Sequence, residues 1–354
     1  MQGQSLKRVG SFHKRCHPVA ISPLTAQRSI LYQTQNTEMA TQSKRRSMCP
    51  ACSKPTRLCL CTRLKVPKLH NSIAVTILQH SLEKKHPLNS TRIASIALQN
   101  LSVIPVSDVN SQARFLIRRL FNSNLERSSS CEACDQHVVG FAVDKYGTVL
   151  SFQDVWMMEN GSPPRCGFDR LLASREAVDD LGKGFVVKKL QTKPLRGGIG
   201  LEGMLRDQDE EEENEEFEIR VGAGSVLLFP SERAVRVEDL RGVEVRNLVV
   251  LDGTWSKAKR MYKENPWLKL LPHVKLDVLD GMSSLYGEVR HQPKEGYFST
   301  IESIVYALKA LGEKDDEDSK GGLDDLLDVF VSMVADQRRC KDERLRQANQ
   351  TNFL

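Results

Sequence analysis

Residues 248–267 read LVVLDGTWSKAKRMYKENPW: an unbroken branched apolar run, Leu248 to Leu251, closed by Asp252-Gly253-Thr254-Trp255 and followed at once by a basic, helix-forming stretch. Apolar residues without polar alternation suit a strand buried on both faces, the condition of a central strand in a parallel sheet covered by helices. Gly253 allows a sharp turn, and a helix can begin at Thr254 or Trp255. This strand–turn–helix pattern selects the α/β class, in which ligands gather at strand ends. Asp252 is therefore the first candidate for chemistry.

The 354 residues suffice for one full domain with appendages. No stretch approaches a membrane-spanning apolar run, so no membrane association is expected. The formal charge is +6, but the run from Asp207 to Glu218 carries nine acids, and without it the balance would be about +15. Such basicity suits a polyanionic partner, with a solvated mixed surface as the plainer alternative.

Nine cysteines are present, and Cys49-x2-Cys52 with Cys59-x1-Cys61 packs four of them into thirteen residues. Four thiolates at this spacing match a closed tetrahedral zinc site, structural rather than catalytic. Cys131-x2-Cys134 followed by His137 lacks a fourth ligand; an incidental pair on a polar loop is the plainer reading. Residues 1–47 contain Glu38 as their one acid. They suit either a disordered leader acting as a transit peptide or an extension with no address, and Met39 offers an internal start.

After a cysteine module over 48–66, residues 67–345 form the main domain. Residues 73–80, IAVTILQH, suit a first core strand, and Asn89 to Gln99 suits a helix capped by Asn89 or Ser90. A second helix is expected over Gln112 to Phe121, and strands at Val138 to Val143 and Ser225 to Phe229. Residues 197–218, glycine-rich and then acidic, read as a flexible solvated insertion, and their Gly197-Gly198-Ile199-Gly200 as linker rather than phosphate loop. Glu313 to Asp318 reads as a shorter interruption of the same kind. Leu323, Leu326, Leu327, Phe330, Val331 and Val334 recur at helical spacing, the mark of an amphipathic helix packed on the domain.

Five blocks stand in order: CPACSKPTRLCLC at 49–61, EKKHPLNSTR at 83–92, LLFPSERA at 227–234, the Asp252-Gly253-Thr254-Trp255 turn, and YFSTIES at 297–303. Through them the chain resembles the DTW-domain family, the tRNA-uridine aminocarboxypropyltransferases, from residue 48 to about 340. Ser90 departs from the threonine frequent in the family, and Ser303 from its frequent alanine. The resemblance implies a SPOUT-like α/β fold, a largely parallel sheet flanked by helices and open to a trefoil knot, behind an N-terminal zinc-ribbon-like module of four cysteines. It also implies transfer of a 3-amino-3-carboxypropyl group from S-adenosylmethionine to N3 of a tRNA uridine, releasing 5'-methylthioadenosine. tRNA is then the macromolecular partner, and no protein partner is expected.

On that reading Asp252 accepts or steers the uridine imide proton. Trp255, beside it, either stacks on a ring of a substrate or belongs to the helix core. Leu228, Phe229, Pro230 and Ser231 resemble the family's strand-end loop, and Ser299, Thr300 and Glu302 its second helix start. With Thr254 they would wall the cofactor pocket. His86, Asn89 and Arg92 bring donors to a helix start that suits a substrate carboxylate or phosphate. Lys257, Arg260 and Lys263 share one helix side and would meet tRNA phosphates, unless they are simply solvated. Zinc belongs to Cys49, Cys52, Cys59 and Cys61. Two other functions compete: a SPOUT-like RNA methyltransferase, and a zinc-ribbon RNA-binding protein without catalysis. The expected location is cytoplasm or nucleus, or an organelle if residues 1–47 act as a transit peptide.

Overall fold

The structure, a computed structural model, describes residues 47–66, 68–120, 138–154, 168–192, 213–240, 242, 244–277, 284–285, 297–313 and 322–351. Cys131, Cys134, His137 and the glycines at 197–200 lie outside them, as do residues 314–318 of the second acidic run. Met48–Leu354 form one compact unit. In chain order the strands and α-helices are β1 (Ala74–His80), α1 (Thr91–Ala97), β2 (Leu101–Val106), β3 (Gln112–Arg119), β4 (Val138–Asp144), β5 (Val149–Asp154), α2 (Phe168–Ala173), α3 (Arg175–Gly182), β6 (Gly184–Thr192), β7 (Glu213–Gly222), β8 (Ser225–Leu228), β9 (Val235–Arg236), β10 (Asn247–Asp252), α4 (Trp255–Glu264), β11 (His273–Lys275), α5 (Thr300–Ala310) and α6 (Leu323–Thr351).

Six strands form one sheet in the order β2-β1-β10-β8-β11-β9, every pairing parallel. The apolar run of β10 is buried on both sides because its residues alternate between two cores. Leu248 and Val250 join Val75, Ile77, Val226 and Val274 beneath α1, α5 and α6. Val249 and Leu251 join Leu78, Leu227 and the α4 residues Ala258 and Met261 on the opposite face. Burial on both faces is the reason the run carries no polar alternation.

The second core is closed by a sheet that the sequence reading did not foresee, antiparallel in the order β5-β4-β3-β6-β7. The helix expected over Gln112 to Phe121 is the strand β3. Ala113, Phe115 and Ile117 are buried while Arg114 and Arg118 face solvent, a two-residue period. The acidic insertion needs a matching correction: from Glu213 onward it is β7, paired to β6. Glu213, Glu215 and Glu218 form ion pairs with Arg114, Lys188 and Arg118 on the outer face. Glu216 turns inward to the fully buried Lys189 at 2.8 Å, whose ammonium also lies near the rings of Phe115 and Phe217. Glu313 is likewise no solvated acid: its carboxylate accepts from the backbone N–H groups of Ser72 and Ile73, just ahead of β1. No helix among the described residues is long and apolar enough to cross a membrane.

Candidate active site

The parallel register of β1 and β10 sets Gln79 beside Asp252 at the strands' C-terminal ends. Gln79 Nε2 donates to Asp252 Oδ2 at 2.8 Å, and Thr300 Oγ1, at the start of α5, donates to Oδ1 at 2.5 Å. The carboxylate, in a residue only 6% exposed, is thus oriented from two sides. It lines a cavity of about 450 Å³, a size typical of small-molecule sites. Asp252 does not cap α4. Thr254 does so, its hydroxyl accepting from Lys257 N at 3.3 Å.

Leu228, the last residue of β8, and Phe229 and Pro230 after it form one wall of the cavity, while Thr254, Ser299 and Thr300 line it at the two helix starts. Trp255 lies on the cavity and outside both hydrophobic cores. Its ring is 4.0 Å, centroid to centroid, from that of Tyr297, with 31° between their planes. Asn89 also lines the cavity; its Oδ1 accepts from Thr91 N at 3.0 Å, while the N-cap position of α1 is Ser90, whose side chain makes no capping bond.

Two expected cofactor contacts stand behind the walls instead. Glu302 is fully buried and completes a capping box with Ser299, and its carboxylate also accepts from Ser284 Oγ and Leu285 N, both at 2.8 Å. Ser231 Oγ bonds His273 Nδ1 at 2.6 Å. The His273 imidazole is held well below its usual range, at about 4, chiefly by burial, with the nearby Arg233 guanidinium adding to the shift. A neutral ring donating Nε2–H to Leu268 O at 2.9 Å and accepting from Ser231 fits both contacts.

The expected substrate-binding residues divide. His86 and Arg92 do not line the cavity: His86 Nδ1 accepts from Leu88 N at 3.2 Å, and Arg92 donates to Lys84 O at 3.0 Å. On α4, Lys257 is paired with the buried Glu83 at 2.9 Å, and Arg260 with Glu264 and Asp108 at 2.6 and 3.2 Å. Lys257 is half-buried whereas Arg260 and Lys263 are exposed, and of the three Lys263 forms no ion pair among the described residues. Sequence reasoning did not single out Gln79, Glu83, Lys275 or Tyr297. Gln79 ends the predicted first strand, but its pairing with Asp252 depends on a register that a single sequence does not display. Glu83 and Tyr297 stand inside the motif blocks, and that placement was the available signal.

The four motif cysteines place all their sulfurs within 4.8 Å of one another, with Cys49–Cys61 and Cys52–Cys59 each at 3.8 Å. That is too far for a disulfide and close to the edge of a tetrahedron with metal–sulfur bonds of about 2.3 Å. Ser53 takes the left-handed φ of 54° that closes the first knuckle, and Leu60 N points to Cys52 Sγ at 3.5 Å. Backbone N–H groups of Cys52 and then Ala51 draw the Cys49 thiol down to about 6. Burial, then the Cys49 side chain, pushes Cys61 up to about 12. Four crowded sulfurs of this kind become thiolates together only around a cation, so the donor set is compatible with zinc.

Relatives match parts of the chain. It is 38% identical to tRNA-uridine aminocarboxypropyltransferase 2 of Drosophila melanogaster over 88 residues, 25% of this chain and 34% of that protein. It is 35% identical to tRNA-uridine aminocarboxypropyltransferase A of Arabidopsis thaliana over 75 residues, 21% of this chain and 26% of that protein. With tRNA-uridine aminocarboxypropyltransferase 2 of Mus musculus it shares 30% over 92 residues, 25% of this chain and 30% of that protein. These alignments span about a third or less of each relative's length. No solved structure matches the chain. The DTW domain matches residues 46–127 and 178–338, which is more than half of the sequence and includes both the cysteine cluster and the Asp252 turn, and the chain belongs to the DTW-domain family.

Proposed function

We propose that this chain is a tRNA-uridine aminocarboxypropyltransferase that forms 3-(3-amino-3-carboxypropyl)uridine in a tRNA. The supporting observation is the Asp252 carboxylate, oriented by Gln79 and Thr300 at a parallel strand end, on the wall of a cavity of about 450 Å³. The relatives' names support the substrate class. S-adenosylmethionine, as co-substrate, supplies the alkyl group on a sulfonium that leaves as a neutral thioether.

The chain's own residues supply the rest. N3 of uridine lies on the pairing edge, so the base must enter unpaired or turned out of its stack. Asp252 holds the imide N–H and takes its proton as the N3–Cγ bond forms and the Cγ–S bond breaks, with 5'-methylthioadenosine leaving. The negative carboxylate also favours the sulfonium before transfer. Trp255 and Tyr297 present an aromatic surface for a base. Lys275 lines the cavity with no ion pair among the described residues, and is the cation for the donor's carboxylate. Zinc at Cys49, Cys52, Cys59 and Cys61 is structural. The wholly parallel sheet, with β10 between β1 and β8, supports a SPOUT-like arrangement.

The test is direct. Pure protein is incubated with unmodified tRNA and S-adenosylmethionine, and the nucleosides are analysed by mass spectrometry. The aminocarboxypropyl adduct of uridine is the expected product. A methyl adduct would indicate methyl transfer instead, and unmodified RNA would refute the catalytic assignment.

A further inference from the structure

A groove of about 440 Å³ lies beside the cavity, between His86-Pro87-Leu88 and the later half of α6, where Gln337, Lys341 and Arg344 line it. Leu88 borders both concavities, so they share a wall. Residues 337, 341 and 344 recur at the spacing of one helix face. The acids of this stretch lie elsewhere: Asp342 and Glu343 do not line the groove, and Asp336 is taken up by Arg63 and Arg339. Lys341 and Arg344 form no ion pair among the described residues, and neither do Lys84 and Lys85, exposed just ahead of His86. The groove is therefore lined by two unpaired cations and no acid, with two more exposed next to it in sequence, whereas the cations of α4 nearest the cavity are already neutralised by Glu83, Glu264 and Asp108. The matched DTW segment ends at residue 338, ahead of both Lys341 and Arg344.

We propose that this groove binds the sugar-phosphate backbone of the RNA whose base enters the adjoining cavity. The proposal rests on the reading of the chain as a tRNA-modifying enzyme. Ammonium and guanidinium groups along the groove meet successive phosphates, and release of condensed counterions makes the contact dependent on salt. A strand lying along the groove passes Leu88 as it reaches the cavity, which positions one unpaired base at Asp252.

The test uses the full chain with Lys341→Gln and Arg344→Gln combined, and separately with Lys84→Gln and Lys85→Gln, the exposed pair just ahead of His86. Affinity for unmodified tRNA is measured across salt concentrations, S-adenosylmethionine binding by calorimetry, and folding by thermal unfolding. Each pair is expected to weaken tRNA binding tenfold or more near about 0.1 M salt, and to flatten the slope of log affinity against log salt by about 1 for each cation removed. Cofactor binding and unfolding temperature should stay at wild-type values. If both pairs bind tRNA as tightly as the wild type, with the same slope, the groove is not the RNA path and its charge suits an acidic protein surface instead. Failure of the wild type itself to bind tRNA is a different result, and it would overturn the functional reading together with the groove.

Discussion

At Asp252 the chemistry depends on one carboxylate kept in one orientation. Replacement by Asn preserves shape and removes the proton acceptor, and general-base contributions run at about 10²- to 10⁴-fold. Asp252→Asn is therefore expected to lower single-turnover adduct formation by at least about 100-fold even at saturating S-adenosylmethionine, and to weaken binding of the sulfonium; a near-wild-type rate would exclude the acid–base role. His273 bears on stability rather than chemistry. Its folded value of about 4 lies below the ordinary 6.5, so the unfolded chain takes up the proton first as pH falls. The stability of the neutral buried ring is present above pH 6.5 and is lost toward pH 4, at about 1.4 kcal/mol per unit. Urea unfolding at pH 7 and pH 5 should show wild type losing about 2 kcal/mol more than His273→Gln; equal losses would mean the ring is not buried neutral. Asp252 was legible as a residue because an acid at the end of an apolar run is locally conspicuous. Gln79 was not, because nothing within IAVTILQH shows which strand will lie alongside.

Among elements, β10 with α4 was readable and β3 was not, for one physical reason. A strand buried on both faces declares itself through uninterrupted hydrophobicity, whereas β3 mixes Arg and Leu on its outer face and so imitates helical composition. Its partners, β4 and β6, also stand far off in sequence. The turn joining β4 to β5 makes a specific demand. Gly147 has φ +80°, and a Cβ there would come within 2.3 Å of the Lys263 carbonyl oxygen at the end of α4. Both the left-handed backbone and the clash oppose a side chain. Gly147→Ala is expected to destabilise the protein by roughly 2 kcal/mol or more, read as a lower urea midpoint at unchanged m-value. An unchanged midpoint would mean that this turn does not rest on α4.

For the molecule as a whole, the cysteine cluster is structural in a wider sense than its spacing revealed. Cys52 and Leu60 belong to the same core as Phe330 and Met333 of α6. Arg63 ties the module to Ser332 and Asp336. Lys54, whose carbonyl accepts from Cys49 N, donates from its side chain to Pro87 O beside the cavity. Stripping metal from the purified protein with a strong chelator should therefore make four further thiols titratable beyond those outside the cluster, lower the unfolding temperature and weaken S-adenosylmethionine binding together. All nine thiols titratable before any chelator is added would show that no metal holds the four of the cluster. The family match skips residues 128–177, the stretch carrying β4, β5 and α2. Strands β3 and β6 bond directly to each other, and the Phe168 ring of α2 packs on Phe141 of β4 at 5.0 Å. β5 and β4 thus form one margin of the antiparallel sheet, and no bond between β3 and β6 depends on them. A change of length at that margin therefore leaves untouched the β1–β10 pairing that places Gln79 beside Asp252.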